Sequence, residues 1–278
     1  MLRLVESLSL PGDPDRQNED AFGGSDNAAL VMDGATMLGD GLMPGPSDAA
    51  WIAQFGARRL IAHLRDEEPK KALKLALGDA EKSFHALRRA APEEQWQVPC
   101  ASMMLAVEHA KGLEFLYLGD CGALVEQDDG LKVIGETLEK RAEEARRAAL
   151  LAQEKKLAPA SGLRQPEFLR HLRNARNRFN SGSYWLFSPD RRAAQHAQRR
   201  IVAVEKGAHL LLASDGFLAL ASDYGAYDAA GLLKTAQAKG LKALGEEIRA
   251  IENADAQGEK FARFKKSDDA TALLLRVE

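Results

Sequence analysis

Two short apolar runs far apart in the chain stop at the same dipeptide. Ala28 to Met32 (AALVM) runs into Asp33-Gly34, and His209 to Ser214 (HLLLAS) runs into Asp215-Gly216. Runs this short, bounded by turn residues, read as buried strands. A third run, Ala270 to Val277 (ATALLLRV), follows Asp268-Asp269, so there the acid precedes the strand. One Asp-Gly pair is ordinary turn chemistry, because both residues serve turns for conformational reasons. A set of acids at strand ends is more informative: Glu19-Asp20, Asp33, Asp120 after Gly119, Asp215 and Asp268-Asp269.

If the strands lie side by side with their ends together, these carboxylates converge. Their repulsion would raise their pKa values and destabilise the site unless cations neutralise them. Oxygen donors without nearby Cys or His suit Mg2+ or Mn2+ better than Zn2+. A shared Asp could bridge two such ions roughly 3.5 to 4 Å apart, a pair that activates water. Cys100 and Cys121 are the only cysteines, which excludes a disulfide scaffold or a Cys-rich zinc site. Zincin, P-loop, serine-hydrolase and dinucleotide-binding motifs are all absent from the sequence.

The chain has 278 residues, 45% apolar and 28% charged, enough for a globular core. A net charge of -3 gives no global field favouring nucleic acid or an anionic membrane. No apolar run approaches the ~20 residues needed to span a bilayer, and Arg3 and Glu6 stand where a signal core would lie. The expectation is a cytoplasmic protein without nucleic-acid or membrane partners.

Helical spacing marks Ala49 to Leu64 and Lys70 to Leu87, then Ala226 to Lys239 and Leu241 to Ile251. Between them, Ala101 to Val107, Glu114 to Leu118 and Cys121 to Val125 read as an antiparallel meander. Two further helices are expected over Leu138 to Lys156 and Pro166 to Phe179, the second carrying Phe168, Leu172, Ala175 and Phe179 on one face. Lys140 to Arg178 holds eleven Lys or Arg against four Glu, so the remainder of the chain is correspondingly acidic.

Five segments, RQNEDAF (16–22), LVMDGA (30–35), LYLGDCGA (116–123), LLLASDGF (210–217) and DDATALLL (268–275), resemble in order and spacing the metal-dependent protein Ser/Thr phosphatases of type 2C. The resemblance runs from about Leu4 to Val277. It implies an α+β fold, a four-layer α/β/β/α sandwich of two antiparallel sheets flanked by helices, with a dimetal site in the cleft at the sheet ends. It also implies one domain over residues 1–278, with a basic helical flap inserted at about 138–200.

Carried over by that resemblance, Asp33 bridges two Mn2+ or Mg2+ ions, and Asp215 and Asp268 complete the shell of one. Glu19 or Asp20, with the Gly34 carbonyl, forms the shell of the other, and Asp120 matches an acid of a weaker third site. In the family a metal-bridging water attacks the phosphorus of phosphoserine or phosphothreonine directly, without a phosphoenzyme. The implied partner is a phosphorylated protein, with the activity opposing a Ser/Thr kinase. Arg16 would hold the phosphate through its planar fork, although it lies four residues before Asp20 where many relatives place an arginine five before.

Two departures bear on mechanism. Ala35-Thr36 follow Asp33-Gly34 where relatives carry the histidine proposed as general acid, so a water would serve. Ala219 stands where many relatives place another Asp of the third site. The basic segment, with Arg170, Arg173 and Arg176, is expected to steer anionic substrates. Tyr184, Trp185 and Phe187 are expected to pack under the flap, and His63, His85, His196 and His209 to be ordinary structural residues. Two other functions fit the same residues: a catalytically weak, phospho-responsive binding module, and a hydrolase of small phosphate esters.

Overall fold

A computed structural model describes residues 1–128, 130–135, 146, 150, 166–263 and 265–278. Among these residues, ten strands form two five-stranded antiparallel sheets. The first sheet runs in the order β1 (Leu2–Leu10), β10 (Ala270–Val277), β9 (His209–Ala213), β6 (Gly122–Gln127), β7 (Gly130–Gly135). The second runs β2 (Asp20–Ser25), β3 (Ala28–Gly34), β4 (Ala101–His109), β5 (Gly112–Leu118), β8 (Gln198–Val202).

The apolar runs contain no polar alternation because both faces of these strands are covered. Successive side chains point to opposite faces of a sheet. In β3, Ala29 and Val31 face the other sheet while Leu30 and Met32 face helices. In β9, Leu210 and Leu212 point between the sheets, and Leu211 and Ala213 point outward to a second helical layer. Strand β10 does the same with Leu273 and Leu275 inside and Leu274 outside.

On the outer face of the second sheet lie α1 (Asp48–His63) and α2 (Pro69–Leu87). Helix α1 starts where the Ser47 hydroxyl caps the Ala50 amide at 3.1 Å, and α2 opens on Pro69, which is preorganised for a first turn. The outer face of the first sheet carries α5 (Asp215–Ser222), α6 (Ala229–Lys239) and α7 (Leu241–Ala254). The result is the expected α/β/β/α layering. Two more helices, α3 (Pro166–Arg176) and the four-residue α4 (Ala193–His196), lie between β7 and β8.

Several expectations need correcting. The helix expected over Pro166 to Phe179 ends at Arg176, and the one expected from Ala226 begins at Ala229. Residues 181–200 are not a separate flap element. Phe187 bridges Ala101 through paired backbone hydrogen bonds, Ala193 and Ala194 sit in the core, and β8 is an edge strand of the second sheet. Tyr184 is not packed away but 49% exposed, while Trp185 stacks on His196 with ring centroids 3.6 Å apart. The helix expected over Leu138 to Lys156 lies outside the described residues, apart from positions 146 and 150. Cys100 and Cys121 are both buried and unbridged.

Phe115, fully buried between the sheets, tests the layering. Phe115→Ala should cost about 3–5 kcal/mol in a denaturant titration. A loss under about 1 kcal/mol would place this side chain outside a tight core.

Candidate metal centre

Strand pairing brings the acids together. The β2–β3 register sets Asp20 directly opposite Asp33, and the β3–β4 register sets Asp33 opposite Ser102. Ser102 donates its hydroxyl to Asp120 at 2.5 Å, fixing the acid that follows β5. In the other sheet, Ala213 pairs with both Gly122 and Ala272, so the start of α5 meets the start of β10. Carboxylate oxygens of Asp33, Asp120 and Asp215 consequently lie within 4.8 Å of one another.

Both Asp-Gly pairs need their glycine for close approach rather than for a left-handed turn. A Cβ on Gly34 would sit 2.5 Å from the carbonyl oxygens of Ala49 and Glu19, and one on Gly216 would collide with the Asp269 carbonyl. The dipeptide places an acid at a strand end while letting a second backbone pass beside it.

The remaining predicted acids are held in other ways. Asp20 is buried and accepts the Ser214 hydroxyl at 2.8 Å through Oδ2, while its Oδ1 has no partner among the described residues. Glu19 accepts hydroxyls at both oxygens, from Ser47 at 2.6 Å and Thr36 at 2.5 Å. Asp268 forms an ion pair with Lys265 at 2.5 Å. Gly34 lines the cavity, its amide donating to the Glu19 carbonyl at 3.0 Å. Arg16 is 76% exposed, faces Asp13 at 3.6 Å and does not line the cavity.

The cavity, about 350 Å³, is lined by Asp33, Asp120, Asp215 and Asp268, with Arg176 and Lys265 as flanking cations and Tyr184 and Leu172 on its wall. Arg176 donates to the Thr36 carbonyl at 2.6 Å. Its neighbour Arg173 forks onto the Leu38 carbonyl and stacks over Trp96 at 4.2 Å. Two of the three arginines of α3, Arg173 and Arg176, therefore point into the protein, while Arg170 is exposed. Asp223, the C-cap of α5 about two turns after Asp215, lines the same cavity, whereas Ala219 between them offers no side-chain oxygen.

Sequence reasoning gave no role to Asp269, which it named only within the Asp268-Asp269 pair, and missed Lys265. Asp269 clamps the N-terminal segment, accepting the Gly12 and Glu19 amides at 2.6 Å each. Lys265 lies three residues before Asp268 in an irregular loop, where spacing gives no signal for an ion pair.

The electrostatics are those of like charges forced together. Burial raises Asp33 well above the ordinary carboxylate range, and Asp215 and Asp20 push it further. Burial likewise raises Asp20. Asp268 is pushed up to about 6 by burial, against the opposing pull of Lys265. An unpartnered buried oxygen beside three converging carboxylates, without sulfur or imidazole, is a donor set that fits a hard divalent cation.

No protein-family model matches the sequence, and no curated protein does either. Solved structures do match. The serine/threonine phosphatase PstP/Ppp of Mycobacterium tuberculosis aligns over 100% of this chain and 99% of its own, at 16% identity and a TM-score of 0.58. The PstP catalytic domain in complex with two manganese ions aligns over both whole chains at 15% identity and a TM-score of 0.54. The PPM Ser-Thr phosphatase MsPP of Mycobacterium smegmatis, in complex with cacodylate, aligns over 99% of this chain and 100% of its own at 12% identity and a TM-score of 0.55. At these identities the likeness establishes a shared fold, that of the type 2C phosphatases.

Raised folded-state pKa values fix a sign. Such a carboxyl favours the fold while protonated and loses that contribution as pH climbs from the unfolded value of about 3.9 through the folded one. On this account Asp20, Asp33 and Asp268 make the metal-free chain less stable near about pH 7 than near about pH 5, and Mn2+ should recover more stability at the higher pH. Asp33→Asn should raise the melting temperature of the metal-free chain by about 2–4 °C and abolish the Mn2+-dependent increase. A melt in which the substitution lowers the metal-free value would show that Asp33 is not strained by its neighbours.

Proposed function

We propose that this chain is a metal-dependent phosphoprotein phosphatase of the type 2C family, acting on phosphoserine or phosphothreonine. The observation that carries the reading is the convergence of Asp33 on β3, Asp120 after β5 and Asp215 at the start of α5, at one cleft of the phosphatase fold. Mn2+ or Mg2+ bound there would supply an activated water and a Lewis acid for the phosphoryl oxygens. The manganese of the PstP catalytic domain supports this choice of ion.

The protein's own residues do the rest. Asp33, Asp120 and Asp215 would hold the cation, and Asp20, paired opposite Asp33 and with a hydroxyl partner on only one oxygen, would add buried negative charge beside them. Arg176 and Lys265 both line the cavity and bring positive charge to it, where they would orient a phosphoryl dianion. Phosphate binding, expected of Arg16, falls instead to Arg176, because only the latter lines the cavity. Ala35, which follows Asp33-Gly34 where the family carries its histidine, has no proton to give, and the neighbouring Thr36 hydroxyl is engaged with Glu19 and Lys265, so a water would protonate the leaving alcohol. No helix among the described residues is long and apolar enough to cross a membrane, and we assign the protein to the cytoplasm, opposing a Ser/Thr kinase.

Hydrolysis of a phosphothreonine peptide and of an aryl phosphate, each with Mn2+, Mg2+ or chelator, tests the proposal. Turnover should need the ion and fall about 10²-fold or more in Asp215→Asn. Arg176→Ala should lower kcat/KM about tenfold, mainly through KM, and Arg16→Ala should leave it unchanged. Turnover of the aryl phosphate alone would make the protein a small-ester hydrolase. Ion binding without any turnover would make it a binding module.

A further inference from the structure

The cleft holds a cation of its own. Lys265 reaches the Asp268 carboxylate at 2.5 Å and the Thr36 hydroxyl at 3.0 Å. Thr36 donates in turn to Glu19, whose other oxygen is taken by Ser47. The lysine thus links Asp268, which the sequence resemblance assigns to one metal ion, with Glu19, one of the two acids it offers for the other. Neither acid belongs to the group close enough to share an ion, which consists of Asp33, Asp120 and Asp215.

The position of Lys265 is fixed from both sides. Arg263 donates to the Lys266 carbonyl at 2.8 Å, and Arg249 donates to the Asp268 carbonyl at 2.9 Å. Arg249 also reaches the Leu10 and Pro11 carbonyls and pairs with Glu252 at 2.6 Å, so the loop bearing Lys265 is tied to the end of β1 and to α7. The Lys265 side chain is only 32% exposed, and an ammonium withdrawn that far needs acidic partners.

On the reading of the centre given under Proposed function, we infer that the Lys265 ammonium takes one of the two cation positions, so that this chain binds a single divalent ion, between Asp33, Asp120 and Asp215. A fixed monovalent cation neutralises less charge than a divalent ion, but it needs no supply of metal, and with two of its three donors on Asp268 and Thr36 it has one left for a phosphoryl oxygen. The acids at 19 and 268 then serve the lysine.

Equilibrium dialysis with metal analysis tests this without substrate or turnover. Free Mn2+ is held well above the dissociation constant of the first site, and wild type is compared with Lys265→Met. Wild type should bind one Mn2+ per chain and Lys265→Met two, while metal-free Lys265→Met melts below wild type because Asp268 and Glu19 lose their counter-charge. Two ions on wild type would overturn the inference whether or not the variant folds. One ion on both folded proteins would overturn it as well, since Lys265 would not be what excludes the second. Zero ions on both would overturn the metal-dependent reading itself, and the inference with it. Lys265→Arg, which keeps the charge, should stay at one ion and serves as the folded comparison if Lys265→Met does not fold.

Discussion

The constraint on which this molecule turns is electrostatic: strand registers bring carboxylates together in a half-buried cleft where they repel one another. Asp20 is set opposite Asp33 by β2–β3 pairing, and β4, β5, β6 and β9 deliver Asp120 and Asp215 to the same end of the two sheets. Burying an ionised carboxylate costs several kcal/mol even after relaxation. The sheets can carry that cost because their strands bury apolar side chains on both faces, forming three apolar layers in the sandwich. Around the acids, nearly every polar contact blunts the repulsion. Hydroxyls of Ser214, Ser102, Thr36 and Ser47 donate to carboxylates, and Lys265 supplies a full charge.

A second theme is how chain segments remote in sequence are sewn to this centre. Asp269 accepts amides from Gly12 and Glu19, and Arg249 gathers the carbonyls of Leu10, Pro11 and Asp268. Helix α3 is secured by Arg173 on Leu38 and Trp96 and by Arg176 on Thr36. Arg173 and Arg176, which the sequence places in a basic segment, thus each hold a backbone carbonyl, Leu38 and Thr36 respectively. Arg176 reaches the cavity because its guanidinium is large enough to hold Thr36 and still face the cleft.

Much of this was legible in the sequence, for identifiable reasons. Strands buried on both faces leave uninterrupted apolar runs, so β3, β4, β9 and β10 stood out, and acids beside them marked the cleft. Edge strands β1, β7 and β8 did not, because one side of each is wet and their residues mix charged with apolar types, as in Leu2 to Leu10 (LRLVESLSL) and Gln198 to Val202 (QRRIV). Which acids share an ion was also hidden. Glu19 and Asp268 look like ligands in one dimension, and only the fold shows Thr36, Ser47 and Lys265 occupying their oxygens. Arg16 looked well placed by its spacing from Asp20, but the loop between them turns it toward Asp13 and solvent.

The account stands or falls on the three carboxylates that close on one point. The most direct measurement is an anomalous-difference map from a crystal soaked in Mn2+. The predicted result is a peak within coordination distance of Asp33, Asp120 and Asp215, with none between Asp268 and Glu19. An empty cleft, or manganese bound only elsewhere on the surface, would contradict the claim that these acids are held together to bind a cation.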